Sequence, residues 1–337
     1  ASTSFGQLNT GKKSLVLDLK RAEAVEIVKR LAATADVVVE NFRPGVMQRF
    51  GLDYPALKAV KPDLVYCAIS GYGQTGPSAD LPAYAPVIHA ASGYDLAHIA
   101  HQQADRRPDY CGIYIADVLT GTYAFGAIAS ALHQRHETGE GQMIDVSMLE
   151  SMLSLTLSEI QAAQFHVPPI PRQIFGPVQC RDGYIMLGVA SERTFQNLAV
   201  ASGNRGWIED PRFKLYADRR NNWGHLIDEL ELWSSRHSTE EVQAIFDHHG
   251  VPSSPYRTVK EAMADPQLAH RAALAEVQDR GGSFHALNPP FRMTGSDTAA
   301  RPYVTALGED SAAVLRDLGY SAAEIAALAE SGVTVAG

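Results

Sequence analysis

The chain of 337 residues has only three cysteines, Cys67, Cys111 and Cys180, far apart and without paired spacing. That scarcity excludes a disulfide framework and a cysteine zinc site, and it predicts buried free thiols in a reducing cytoplasm. Long apolar stretches are missing too: no uninterrupted apolar run approaches the length of a bilayer span. Residues 1–10 carry neither the basic segment nor the apolar core of a signal peptide. No excess of positive charge is present, since 29 Lys and Arg face 38 Asp and Glu for a formal net charge of −9. This argues against a nucleic-acid partner, while leaving room for a local basic pocket that holds a phosphorylated cofactor. A Walker loop, a Gly-x-Ser-x-Gly elbow and a Gly-x-Gly-x-x-Gly turn after a strand are all lacking, so nucleotide hydrolysis, serine esterase and nicotinamide chemistry have no support.

Hydrophobic residues make up 45% and charged residues 20%, the composition of a folded protein with core enough for two globular units. Residues 14–19 (SLVLDL), 37–40 (VVVE) and 64–69 (LVYCAI) read as strands, with helices over 22–33, 46–50 and 54–60 between and around them. Apolar strands separated by helices predict a parallel sheet covered on both faces, in which ligands collect beyond the carboxyl ends of the strands. A Gly- and Pro-rich loop follows at 70–86, then a small-residue helix at 117–135, a turn at Thr138–Gly141, a strand at 142–146 and one helix over 147–164. Pro168, Pro169 and Pro171 mark a linker, and a small α/β unit follows with a strand at 183–189 and helices at 192–201, 223–235 and 239–248. The fold class is therefore α/β, with a large first part at 1–165, a linker at 166–180, a smaller domain at 181–285 and a C-terminal segment at 286–337 that ends in a helix over 321–330.

Two constellations carry chemical possibilities. Asp117 stands where an apolar stretch meets a helix. It reads either as a plain helix cap or as a carboxylate kept ionised by the helix dipole and competent as a nucleophile, and nothing local decides between these. Asn41–Gly45 (NFRPG) follows a strand and opens a helix, with Pro44 in its first turn. Such a start is an anion site to which Arg43 and Arg49 add charge, or equally a capped helix with solvated arginines. His89, His98 and His101 lack acidic partners at a metal-binding interval, and His248-His249 reads as a polar helix end, so no metal is expected.

In their order and spacing, residues 9–20 (NTGKKSLVLDLK), 35–51 (ADVVVENFRPGVMQRFG), 70–77 (SGYGQTGP), 115–146, 182–188 (DGYIMLG) and 250–255 (GVPSSP) resemble the class III coenzyme A transferases, a family that includes α-methylacyl-CoA racemase. The resemblance implies that Asp117 is the catalytic nucleophile and that Leu17, Asp18, Lys20, Asn41, Phe42, Arg43, Arg49 and Tyr84 line the CoA site. It implies a Rossmann-like large domain completed by the C-terminal segment, an interlocked homodimer, and acyl-CoA plus a small carboxylic acid as substrates, without a permanent cofactor. The family pattern starts with a further strand and helix, and the matching segments here begin after them. Its glycine-rich lid has its nearest counterpart at 175–178 (FGPV).

Transferase chemistry is favoured over racemase chemistry because Tyr84 stands at the position of the racemase histidine, and an unperturbed phenol is a poor base near neutral pH. His89 lies five residues further on. An inactive CoA-binding subunit is the non-enzyme alternative. The acyl donor and acceptor are not legible; Arg172 and Arg193 could receive the second carboxylate of a small dicarboxylic acid such as succinate.

Overall fold

Residues 37–40 and 65–70 are β-branched or apolar at nearly every position, and each run is too short for a buried helix, so both extend and pair. In the computed structural model, which describes residues 3–100, 108, 111–165 and 175–335, they form β1 (Val37–Glu40) and β2 (Val65–Ser70). With β3 (Met143–Ser147) they make a parallel three-stranded sheet in the order β1-β2-β3. The register aligns Glu40 with Ala68 and Ala68 with Asp145, so the three strands end at nearly one level. β2 is buried on both faces, as a central parallel strand must be. Tyr66 and Ala68 pack with Ala32, Met47, Leu52, Leu57 and Leu64 on one side, and Cys67 packs with Ala124 and Val146 on the other.

The chain divides into one unit of residues 1–160 with 270–337 and a second of residues 161–269. In the first, helix Ile115–Thr138 runs along the sheet and stops at Gly139, whose left-handed backbone (φ 75°) lets its N–H reach the carbonyl of Arg135. Arg135 then pins this end to the strand starts, through Asp36 at 2.8 Å and the carbonyl of Asp63 at 3.4 Å. Gly141 is needed for another reason: a Cβ there would stand 2.1 Å from the backbone oxygen of Leu64. Residues 14–19 do not form the expected strand. Apart from a bridge between Leu17 and Thr334, their polar groups are met by the C-terminal segment, with Ser14 N–H donating to Asp310 and Asp18 N–H to the carbonyl of Val333.

The expected single helix over 147–164 breaks into Met148–Leu153 and Leu157–Phe165. Between them the Ser154 and Thr156 hydroxyls bond to the carbonyls of Ser151 and Leu153 and so offer the backbone an alternative to helical pairing. Among the described residues, Ile115–Thr138 is long and apolar enough to cross a membrane by length and composition. No uninterrupted apolar run signals this, because Thr, Gly and Ser interrupt it; its buried positions, Ala116, Thr120, Ala124 and Ala131, are core contacts of the first unit.

The second unit holds the antiparallel sheet β4 (Phe175–Gln179), β5 (Tyr184–Gly188) and β6 (Ser253–Pro255). It packs on helices Glu192–Ala201, Trp223–Ser234 and Thr239–His249 around Phe195, Phe213, Leu226 and Phe246. Arg219 is wholly buried there, stacked on Phe195 and paired with Glu192. The proposed lid residues 175–178 are strand β4, and the prolines of the linker lie outside the described residues. The hairpin β7 (Leu274–Asp279) and β8 (Gly282–Leu287) belongs to the first unit, so the boundary falls before it and not after residue 285. The cause is a set of contacts to the N-terminus: Gln7 Nε2 donates to the carbonyl of His285, and Phe284 lies against Gly6. Of the cysteines, Cys67 and Cys180 are buried with thiols pushed up to about 11 by burial, whereas Cys111 is exposed, contrary to expectation.

Gly141→Ala forces the β3 approach away from Leu64. It is expected to destabilise the fold by about 1–3 kcal/mol, the range for overpacking, read as a lower urea midpoint at unchanged slope; an unchanged midpoint contradicts the close approach.

Candidate active site

At the level where β1 and β2 end, two carboxylates of one register row turn the chain. Glu40 accepts the Phe42 N–H at 2.7 Å and fixes the turn that carries Asn41, Phe42 and Arg43. Asp145 accepts the Gln74 N–H at 2.9 Å and holds the glycine-rich loop after β2. Gly71 opens that loop where a Cβ would lie 2.1 Å from that of Ala83, so the loop can fold back on itself only with glycine there. Burial raises the Glu40 carboxyl above its ordinary value, against the opposing hydrogen bond from Phe42.

The third wall comes from the start of helix Ile115–Thr138. The residue before it, Tyr114, offers no side-chain cap, and Asp117 is the third helical residue, so the reading of Asp117 as the N-cap is corrected. The capping acceptor is instead His89, wholly buried on helix Ala85–Ala91, whose Nε2 accepts the Ala116 N–H at 3.1 Å. With Nε2 accepting, the neutral ring carries its proton on Nδ1. Asp117 is thereby free to face a cavity of about 200 Å³, bounded by Asn41, Phe42 and Arg43 on one side and by Ile69, Ser70 and Gly71 on another. Ala79, Leu81, Ala83, Thr120, Gly121 and Met148 complete its lining.

The electrostatics of Asp117 differ from the helix-dipole expectation. Burial of one side raises its carboxyl above the ordinary range. A carboxylate that is harder to ionise is also more basic and a better nucleophile once ionised. The anion-site argument at Asn41–Gly45 loses its helix as well, because Val46–Arg49 is a single turn; Arg43 itself supplies the positive charge.

Of the residues singled out in the sequence, the structure brings Asp117, Asn41, Phe42 and Arg43 around one cavity. Leu17, Asp18, Lys20, Arg49 and Tyr84 lie outside its lining. Asp18 is exposed beside the C-terminal segment, Lys20 is exposed two residues on, Arg49 is exposed on its short helix, and Tyr84 is 71% exposed. Arg193 is exposed in the second unit, and Arg172 and His101 lie outside the described residues. No cluster of potential metal ligands occurs among the described residues. Sequence reading missed Glu40, Asp145, His89 as a cap, Thr120, Gly121 and Met148. Glu40 and Asp145 share one signal, an acid near the end of an apolar strand, while the others have none.

The sign of the Asp117 shift sets two expectations. A folded-state value above the unfolded one means that ionisation costs stability, fully so above the folded value and not at all below the ordinary carboxylate value near ~4. Asp117→Asn is therefore expected to melt no lower than the parent at pH 7.5, with any advantage vanishing toward pH 4. A clear loss of melting temperature at pH 7.5 restores the capping role. If Asp117 acts as an ionised nucleophile, the acid limb of kcat/KM must lie above the range of an ordinary aspartate.

The model of CoA-transferase family III matches residues 1–311. Succinyl-CoA:glutarate CoA-transferase of Homo sapiens is 31% identical over 346 residues, which cover 98% of this chain and 77% of the relative. Succinate–glutarate CoA-transferase of Agrobacterium fabrum is 30% identical over 325 residues, 92% of this chain and 79% of the relative. The crystal structure of a CaiB/BaiF family protein from Brucella suis superposes with a TM-score of 0.82 at 31% identity, covering 94% of this chain and 84% of that one. With a parallel sheet that gathers Asp117, Asn41, Phe42 and Arg43 around one cavity, and a family match over most of its length, the chain belongs to the family III CoA-transferases and is an enzyme of that class.

Proposed function

We propose that the protein moves coenzyme A from an acyl-CoA donor to a small free carboxylic acid, with Asp117 as the covalent nucleophile. The observation that carries this reading is the Asp117 carboxylate in one cavity with Asn41, Phe42 and the guanidinium of Arg43. The Asp117 carboxylate attacks the thioester carbonyl, which forms a mixed anhydride and releases CoA thiolate. The thiolate attacks the aspartyl carbonyl, giving an aspartyl-CoA thioester and the free donor acid. The acceptor carboxylate then attacks this thioester, again forming an anhydride and thiolate, and return of the thiolate to the acceptor carbonyl restores Asp117. Every bond broken is replaced by one of the same class, so the cycle closes without net proton transfer and calls on no ATP or metal. Backbone N–H groups supply the oxyanion contacts in this scheme.

The cavity is far smaller than CoA, so only the thioester end enters it. The nucleotide end lies outside it, on surface to which family resemblance assigns Leu17, Asp18, Lys20, Arg49 and Tyr84. Curated relatives named as succinate–glutarate, succinyl-CoA:D-citramalate and acetyl-CoA:oxalate CoA-transferases support a small dicarboxylate as acceptor or donor. Racemisation is disfavoured, because His89 is buried with Nε2 engaged by Ala116 and Tyr84 is a weak base. A homodimer is supported by the exposed apolar side chains of the long helix, Val118 (67%) and Phe125 (60%), which need a cover. The buried free thiols fit a cytoplasmic setting.

Asp117→Asn is expected to lose transfer by at least about 10³-fold, as removal of a covalent nucleophile does, with CoA affinity within a few-fold of the parent. Succinyl-CoA and acetyl-CoA assayed against a panel of free acids, with product masses read out, define the substrates. Hydroxylamine added after acyl-CoA should modify Asp117. A mutant that retains most of its turnover removes the proposed mechanism. Sedimentation at twice the chain mass is expected for the homodimer, and a monomer at micromolar concentration overturns that part.

A further inference from the structure

Glycine in the interior of a helix is unfavourable relative to alanine, and it persists where packing, a positive φ or a close approach requires it. Several glycines of this protein meet that condition through packing, among them Gly6 against Phe284, Gly71 against Ala83 and Gly141 against the backbone of Leu64. Gly121 does not. It sits within helix Ile115–Thr138, its backbone is not in the left-handed region, and a Cβ built on it meets no atom within 4 Å. What it does have is a place in the cavity, four residues after Asp117 and therefore on the same face of the helix, one turn further along. Ile69 and Met148 also line that cavity, so its inner surface is apolar there, and the flexible thioether of Met148 can adapt to ligands of differing shape.

We propose that Gly121 is a specificity-determining position: the side chain it lacks leaves open the part of the cavity where the acyl group bound at Asp117 extends, so the residue at 121 sets the largest acyl group that is transferred. The inference rests on Asp117 as the reacting carboxylate. In that geometry the thioester carbonyl sits at Asp117, and the chain attached to it must run along the helix face, where position 121 is the next residue encountered. A methyl at 121 would be met by a longer chain and missed by a short one. Gly126 of the same helix supplies an internal control, since a Cβ there also meets nothing within 4 Å but the residue does not line the cavity.

The test compares Gly121→Ala, Gly121→Val and Gly126→Ala in the full chain, assayed with acetyl-, butyryl-, succinyl- and glutaryl-CoA. Gly121→Ala and Gly126→Ala are both expected to melt at or above the parent, by up to about 2–4 °C, from helix propensity. Gly121→Val is expected to lower the ratio of glutaryl to acetyl transfer by about 10-fold or more, the discrimination a filled pocket gives per methylene-sized group. Gly126→Ala should leave the whole acyl series unchanged. The same series titrated calorimetrically into Asp117→Asn, with and without Gly121→Val, reads the size dependence without turnover. If the parent transfers no acyl group, the proposed activity falls, while these titrations still decide the role of Gly121. A uniform loss across acyl sizes, an unchanged series, or a parallel change in Gly126→Ala with loss of the dimer overturns the proposal; the last outcome assigns both glycines to contact with a second copy.

Discussion

Parallel pairing of β2 with both of its neighbours is the constraint on which the site depends. A parallel register brings all the strand ends to one side, so the loops that leave β1 and β2 emerge side by side. Because Glu40 and Asp145 flank Ala68 in a single row, their side chains stand on the same face of the sheet, close to the loops that need holding. Each carboxylate accepts a backbone N–H from a segment that contributes to, or leads from, the cavity wall. These N–H groups have no strand partner, and a buried or half-buried donor without an acceptor is costly, so the acids give each loop a defined path.

Asp117 gains its position from a group far away in sequence. The first N–H groups of a helix need acceptors, and here the imidazole of His89 provides one for Ala116. Had Asp117 been the N-cap, its oxygens would be turned back on the helix and unavailable to a substrate. A buried histidine at the cap leaves the carboxylate free toward the cavity, while partial desolvation keeps that carboxylate basic. Arg43, in the lining of the same cavity, puts positive charge there in a protein whose net charge is −9, so the global balance does not set the local one.

The C-terminal segment closes the first unit by a similar logic of satisfied polar groups. Residues 14–19 carry the alternating pattern of a strand but find no neighbouring strand to pair with. Instead Ser14, Val16 and Asp18 meet Asp310, Ser311 and Val333, and the Thr334 hydroxyl returns to the carbonyl of Val16. Contacts across some three hundred residues of chain cannot be seen in a local pattern.

By itself the sequence determined the local elements whose signals are strong: the β-branched run of β1, the helix Glu192–Ala201 behind its serine cap, the helix Thr239–His249 stopped by Gly250, and the small-residue helix bearing Asp117. It also marked Asp117 and Arg43 as chemically able, because a carboxylate at a helix start and a cation after a strand are legible one segment at a time, while Asn41 and Phe42 came from the family resemblance. Tertiary structure alone decided which of those groups share a cavity and which do not. It replaced Asp117 by His89 as the helix cap, turned the 175–178 stretch into a strand, and placed Gly121 and Met148 in the lining of the cavity that Asp117 faces. The physical reason is that hydrophobic periodicity and capping preference act over a few residues, whereas hydrogen-bond satisfaction and cavity shape are set by which segments pack together, at separations no local pattern encodes.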